Sequence, residues 1–391
     1  MPTNTDLIII GGGAAGLMAG VLAGEIGLRA IILESRPKPG RKLLMCGNNR
    51  CNLTSALTAK EMLARYGDPV APFLEPALTA FPPQALRDWF QKNGLQTKVQ
   101  HDGRVYPQSE KAADVHHFFT DHLAQYGVSL MLNTVARDIV PKKSGGLIVQ
   151  TDNMDLAAPC VLIATGGVSY PKTGSVGDGQ KMALALGHKI TPYRPGLAGF
   201  DMPPAWINAN PMRSIPDVTL KIIVNGKPFA TTHGFLEIER YGIGGPAVTN
   251  ASRIIARHNL KNYSFEADVQ GKCWKLNPVR VRPLKEAMVT VGGVALGDVN
   301  PQTLESKKVP GLYLAGEVLD VDGPSGGYNL QAAFSTARLA IRTISDRSTG
   351  KRKPVITKPA QKKRPQKGKP YPKQNSRADS KRKTSRQYKR R

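Results

Sequence analysis

The stretch LIIIGGGAAGLMAGVLAGEIGLRAIILE, residues 7–34, decides the fold. Leu7–Ile10 is a short apolar run with the character of a strand buried on both faces of a parallel sheet. It runs into Gly11-Gly12-Gly13-Ala14-Ala15-Gly16, a G-x-G-x-x-G pattern, and then into Leu17, Val21, Leu22 and Ile26 at helical spacing. A second apolar run, Ala30–Leu33, ends on Glu34, with seventeen residues between Gly16 and that acid. Each piece has a mechanical part. Gly11 permits the tight turn, Gly13 lets the backbone approach a pyrophosphate, and Gly16 lets helix and strand pack closely. The helix N-terminus offers free N–H groups and a partial positive charge to phosphate. Glu34 is placed to accept hydrogen bonds from an adenosine ribose and to repel a 2′-phosphate. A lone G-x-G-x-x-G is a weak signal; strand, turn, helix, strand and acid in this order mark a dinucleotide site. The alternative is a Gly-rich turn inside an ordinary α/β sheet.

Composition bounds the rest. The chain has 391 residues, 40% of them hydrophobic, which suffices for a core and excludes full disorder. Cys46, Cys51, Cys160 and Cys273 are too few and too scattered for a disulfide-built scaffold. Residues 7–24 are 18 positions without a charge, close to the length of a membrane span, but six of them are glycine. No basic region precedes this stretch and no A-x-A pattern follows, so neither a signal peptide nor a membrane contact is expected. The expectation is a cytoplasmic protein.

Two later segments bear on which dinucleotide binds. Residues 160–164 (CVLIA) run into Thr165-Gly166-Gly167, and residues 311–317 (GLYLAGE) read as a strand ending on Gly316-Glu317. Taken with the N-terminal motif, their order resembles the two-part FAD domain of the glutathione reductase superfamily. The resemblance implies that Ala164, Thr165, Gly166 and Gly316 line the cofactor and that Glu317 bonds its ribityl chain. A helix is expected over 328–344, after Gly326-Gly327, with its N-terminus at the flavin edge where reduction builds negative charge. On composition alone the two segments read equally as core strands with Gly-containing loops. No second strand–G-x-G-x-x-G–helix unit occurs. Residues 241–246 (YGIGGP) are Gly-rich, but no acid follows at a suitable distance, so no dedicated NAD(P) domain is expected.

Four stretches together resemble one family, the BaiN/RdsA-type NAD(P)/FAD-dependent oxidoreductases. They are residues 39–44 (PGRKLL), 47–54 (GNNRCNLT), 164–179 (ATGGVSYPKTGSVGDG) and 315–331 (AGEVLDVDGPSGGYNLQ). The match spans about residues 5–345. It implies that Arg41 and Lys42 flank FAD and that Asn52, Gly327, Tyr328, Asn329 and Leu330 sit near the isoalloxazine. Ala14, Ala15, Ser35 and Val135 complete the implied cofactor set. The chain departs from the family in three places. Asn48-Asn49 replace the usual Gly-Gly, Glu239-Arg240 replace the usual Thr-His before the Gly-rich turn, and the middle insert is shortened. The flavin site should survive these changes, whereas a substrate carried over from relatives does not follow.

Candidates for chemistry beyond the cofactor are sparse. Cys46 and Cys51 form C-x4-C, the spacing of a redox disulfide, but the Pro-Lys that follows in disulfide reductases is Asn52-Leu53 here. Two packed or partly exposed cysteines are the plainer reading, and Cys51 remains a weak catalytic candidate. Tyr170 and Arg240 are weak candidates for proton donor or substrate clamp. His116, His117 and His122 lie on a helix expected over 111–126 and do not share a face well, so a solvated face is expected and no metal site. Flavin chemistry asks little of side chains, because the protein mainly orients and tunes the cofactor.

The charge is concentrated at the end. The chain carries 55 Lys+Arg and 29 Asp+Glu, a net +26; residues 349–391 hold 18 Lys/Arg and one acid, +17, which leaves +9 for the rest. With no Leu, Phe, Met or Trp, that segment cannot bury apolar surface against its chain entropy and is expected to be disordered alone. Such arms bind polyanions, and ribosomal RNA is the preferred partner; a solubilising tail is the alternative. The expected fold is α/β: a discontinuous Rossmann-like FAD-binding domain from 1–190 and 286–345, a β-rich insert at 191–285, and a basic tail at 346–391. The expected activity is hydride transfer from NAD(P)H to an unsaturated acceptor, uridine in ribosomal RNA or a small-molecule enone; amine oxidation is the further alternative.

Overall fold

The computed structural model describes residues 5–349, so the basic tail lies, from residue 350 on, outside the described residues. The elements that position the site run, in chain order, β1 (Leu7–Ile10), α1 (Ala14–Glu25), β2 (Ala30–Leu33), α2 (Arg41–Asn49), α3 (Ala112–Gln125), β3 (Ser129–Met131) and β4 (Cys160–Ile163). They continue with β5 (Arg213–Val224), β6 (Lys227–Glu239), α4 (Gly245–Arg257), β7 (Tyr263–Val269), β8 (Val289–Val294), β9 (Leu312–Leu314) and α5 (Tyr328–Thr349).

Five parallel strands form the central sheet in the order β9-β4-β1-β2-β3, with Leu7 in register with Cys160 on one side and Ala30 on the other. β1, β2 and β4 are buried along their whole length. That explains their uninterrupted apolar sequences, since a sheet covered on both faces has no polar side to alternate with. From β1 the chain adds β2 and β3 on one side, whereas β4 and β9 add on the other. A crevice opens beyond the carboxyl ends of β1 and β4, where strand order reverses and where open α/β sheets hold ligands.

α1 is buried at every position from Ala15 to Ala23 and packs on α5 and α3. Its all-round apolar character therefore serves a core helix. At 12 residues it is too short to span a bilayer, and among the described residues no helix is long and apolar enough to cross a membrane. α3 shows why one histidine departs from the expected solvated face. Ala112, Val115, His116, Phe119 and Leu123 form its buried stripe at helical spacing, so His116 is only 6% exposed while His117 stays exposed.

A second core fills an antiparallel sheet of seven strands within residues 200–281. The strands expected at 218–224, 235–238 and 263–269 fall within β5, β6 and β7. Helix α4 packs on this sheet and is not foreseen by the strand pattern. Its signal is nonetheless present: Pro246 at the first turn, then Ala247, Val248, Ala251 and Ile255 at helical spacing, all buried. Two arginines on α4 fasten it to the segment after β9. Arg253 meets Asp322 at 2.6 Å, and Arg257 meets Asp320 at 2.7 Å and Asp322 as well.

Candidate flavin site

β1 hands the chain to Gly11 at φ +105°, and a Cβ there would lie 2.6 Å from the Ala164 carbonyl oxygen. Only glycine lets this turn pass beneath the end of β4. Gly13 differs. Its φ is −80°, no side chain caps α1, and a Cβ would meet no heavy atom nearer than the Ala164 oxygen at 3.9 Å. Nothing in the chain demands glycine at 13. The missing side chain instead leaves open space at a helix N-terminus, which is the cradle a pyrophosphate needs. Thr165 lines the same cleft, and its buried hydroxyl has no partner in the protein. The residues present fit a dinucleotide on the open, uncapped helix N-terminus at Gly13.

Glu34 closes the loop from the end of β2. Its Oε2 accepts the Gly12 N–H at 2.9 Å and its Oε1 accepts the Arg36 N–H at 2.8 Å. The cleft is open to solvent on one side, and Gly11, Gly13, Glu34, Ser35, Arg41, Lys42, Val135 and Thr165 all line it. Lys38, Ser175 and Asp178 line it too, and the sequence reading did not single them out.

At the inner end, Lys42 Nζ lies 2.7 Å from Glu317 Oε2 and 2.6 Å from Ser169 Oγ. The other carboxylate oxygen of Glu317 accepts the Thr290 N–H at 2.8 Å. Thr290 Oγ1 in turn accepts the Val168 and Ser169 N–H groups at 2.8 and 3.1 Å. Lys42 and Glu317 were both expected at the cofactor; Ser169 and Thr290, which orient them, were not.

Asn52, Gly327, Tyr328 and Asn329 gather around the start of α5. With its amide oriented to satisfy its neighbours, Asn52 donates to the Thr54 and Val105 carbonyls and accepts the Gly327 N–H at 2.9 Å. Gly327 has φ +92° and packs directly against the Thr54 carbonyl. Asn329 accepts the Gly323 N–H at 2.8 Å and donates back to its carbonyl at 3.0 Å, closing the loop ahead of α5. Tyr328 is buried edge-on to Tyr66, whose hydroxyl donates to the Tyr328 carbonyl at 2.7 Å. Below them Gln331 accepts from Thr54 Oγ1 at 2.6 Å and donates to the Phe81 carbonyl. Gln331 closed one family-like stretch, but its role here emerges only from the fold. Ala164 lies under Gly11, and Gly166 receives the Gln180 amide at its carbonyl. Ala14, Ala15 and Gly16 form the first turn of α1, with Gly316 approaching Ala15. Leu330 packs partly buried on the main core.

None of the three weak catalytic candidates lines the cleft. Cys51 is fully buried. Arg240 lies over the ring of Tyr241 at 5.3 Å. Tyr170 adjoins Ser169, and burial, with Glu286 adding to it, holds its hydroxyl above the ordinary value.

A family model for the HI0933-like protein Rossmann domain matches residues 5–343. The chain belongs to the HI0933-like family. It is 28% identical to the 3-dehydro-bile acid delta(4,6)-reductase of Clostridium scindens, over 87% of this chain and 98% of that protein. It is 26% identical to the ribosomal RNA dihydrouridine synthase of Escherichia coli, over 85% of this chain and 96% of that protein. Among solved structures, 3-ketosteroid delta1-dehydrogenase of Sterolibacterium denitrificans aligns with a TM-score of 0.55 at 14% identity, covering 88% of this chain and all of that one (100%). The quinol fumarate reductase of E. coli aligns with a TM-score of 0.54 at 14% identity, covering 88% and 70%. At that identity the last two show the shared fold. This HI0933-like protein is an FAD-dependent oxidoreductase, built on a parallel Rossmann-like sheet with separate antiparallel sheets.

Proposed function

We propose that this flavoprotein takes hydride from NAD(P)H and passes it to the unsaturated ring of uridine in ribosomal RNA. The observation that carries the RNA assignment is the +17 charge of residues 349–391 beside a body of +9. Charge of that density neutralises phosphates and gains affinity by releasing their counterions. Two relatives named ribosomal RNA dihydrouridine synthase, 26% and 25% identical over 85% and 88% of this chain, support the same substrate class.

When bound, FAD supplies a two-electron carrier that accepts and delivers hydride. The chain's own residues bind and orient. The α1 N-terminus and the open space at Gly13 would hold the pyrophosphate, and Glu34 fastens the loop through the Gly12 and Arg36 N–H groups. The Lys42–Glu317 pair fixes the inner end. The bonds from Asn52 and Asn329 hold the start of α5, whose N-terminal dipole favours negative charge in front of it.

The test is an anaerobic titration of the purified protein with NADH and NADPH, followed by unmodified ribosomal RNA and mapping of dihydrouridine. Bleaching of the flavin by one nicotinamide and appearance of dihydrouridine are expected. Removing residues 350–391 should weaken RNA binding and flatten its salt dependence. With about 6–10 phosphates engaged, the full chain should lose about 10³–10⁵ in affinity between roughly 50 and 200 mM salt. Bleaching without any RNA product, together with turnover of a small enone, would favour the second reading, which the bile acid reductase relative supports.

A further inference from the structure

Helix α2 carries a feature that the flavin reading leaves unused. It begins with Arg41 and Lys42 in the cleft and then unwinds. Cys46 leaves helical geometry at ψ +138°, and Gly47, Asn48, Asn49 and Cys51 take φ values of 58°, 55°, 63° and 63°. Asparagine tolerates that region, but a cysteine there is uncommon. The run folds the chain back until the Cys51 N–H donates to the Cys46 carbonyl oxygen at 2.9 Å. A disulfide needs Cα atoms about 4.4–6.8 Å apart, and this backbone bond brings the two residues alongside each other.

The side chains meet as well. The two thiols lie close enough for each to shift the other's titration, and both cysteines are free. Their environments differ. The bond from Cys51, then the Asn52 amide and the charge of Lys42, hold the partly exposed Cys46 thiol below its ordinary value against the opposing effect of burial. Donation to Cys46, together with burial, holds the fully buried Cys51 well above it. A partly exposed cysteine whose thiol is lowered, beside a fully buried one whose thiol is raised, matches the division of labour between an attacking and a resolving thiol. Cys160 is instead buried in β4, and Cys273 is exposed on a strand of the antiparallel sheet.

We propose that Cys46 and Cys51 form a reversible dithiol–disulfide site, oxidised by exchange with a low-molecular-weight disulfide. The Cys46 thiolate attacks one sulfur of the small disulfide, the S–S bond breaks, and one small thiolate leaves and takes up a proton. Cys51 then loses its proton and attacks the Cys46 sulfur. This closes the Cys46–Cys51 bond and releases the second small thiol. Two electrons and two protons leave the pair, and one small disulfide becomes two thiols. The turn so closed lies between Lys42, which holds Glu317, and Asn52, which holds Gly327. The redox state of the pair therefore acts on the grip around the cofactor.

The experiment equilibrates the full-length flavoprotein with glutathione at set oxidised-to-reduced ratios, quenches with acid, alkylates, and maps peptides by mass spectrometry. A link between the peptides carrying Cys46 and Cys51, lighter by two hydrogens, is expected, with a change in the rate of FAD release. Cys51→Ser should trap one glutathione on Cys46, and Cys46→Ser should trap none on Cys51. Burial makes Cys51→Ser a risk to folding, so the unaltered protein supplies a second reading. Its Cys46 should reach half-maximal alkylation rate at a lower pH than free glutathione measured alongside. Absence of the link at ratios that fully glutathionylate Cys273, or a Cys46 that titrates at or above free glutathione, overturns the proposal.

Discussion

Lys42 and Glu317 stand 275 residues apart in the chain and 2.7 Å apart in the fold. The pair joins α2, which follows the first half of the sheet, to the turn after β9, which completes it. Ser169 and Thr290 share its hydrogen bonds, so a single ion pair organises four segments around the inner end of the cleft. Its side chains are only 27% and 19% exposed, which spares it much of the screening that weakens surface pairs.

Lys42→Met should therefore weaken FAD binding by about 10–100-fold, or ~1.4–2.8 kcal/mol. Glu317 keeps the Thr290 N–H but loses its cation. The reading is the dissociation constant from flavin fluorescence quenching. Glu317→Gln combined with Lys42→Met should cost less than the two single changes added together, because they share one interaction. An affinity within about twofold of the unaltered protein for Lys42→Met would remove the pair from the cofactor's grip.

Gly13 and Gly16 separate binding from folding. A Cβ at Gly13 meets open space, whereas one at Gly16 collides with the Gly11 carbonyl. The Gly13→Ala apoprotein should melt within about 2 °C of the original, a change under ~1 kcal/mol, yet bind FAD at least about 100-fold more weakly. Gly16→Ala should fail to accumulate as folded protein. Thermal melting with and without added FAD checks both. A Gly13→Ala protein that keeps full affinity would mean that the pyrophosphate does not approach that backbone.

The pyrophosphate end of this site was legible because local chemistry dictates it. A buried strand, a glycine turn and a helix N-terminus act within one span of residues 7–34, and the space at Gly13 is visible as a missing side chain. The inner end was less legible. Lys42 and Glu317 could be named only through resemblance, and Ser169 and Thr290 carry no signal until the fold brings them to Glu317. His116 misled for a related reason. The histidine spacing read as a solvated face, but the stripe of Ala112, Val115, Phe119 and Leu123 sets which side of α3 turns inward. The Arg253–Asp322 pair spans 69 residues and two separate cores, a distance over which sequence periodicity says nothing.

That pair carries a stability prediction. Arg253 donates to Asp322 at 2.6 Å and to the Tyr66 and Asp322 carbonyls at 2.7 and 2.9 Å, and Asp322 is fully buried. Burial pulls the guanidinium down to about 10, so it stays charged at neutral pH. Arg253→Met leaves a buried carboxylate short of its main partner and should cost about 3–5 kcal/mol in urea unfolding. Adding Asp322→Leu should recover part of that loss, since the remaining core is then neutral at this point. A single variant as stable as the original would show that Arg257 alone satisfies Asp322.

His116 gives the protein a predictable acid sensitivity. Its ring is buried beside Gly40, and neither nitrogen has a hydrogen-bond partner. Burial foremost, with Lys38 and His117 adding, lowers its pKa; the Pro39 carbonyl and Asp121 oppose the shift. A histidine depressed in the fold binds its proton more readily when unfolded. Stability is therefore full above the unfolded value of about 6.5 and declines as pH falls toward the folded one, by up to ~1.4 kcal/mol per pH unit. His188 shares the direction, again chiefly through burial, with its ring held by the Ala183 carbonyl and Ser306. His116→Phe should remove one of these two contributions and raise stability at about pH 5.5 more than at about pH 7.5. Urea unfolding at both values measures the difference. An equal effect at the two pH values would mean that His116 titrates alike in the folded and unfolded chains.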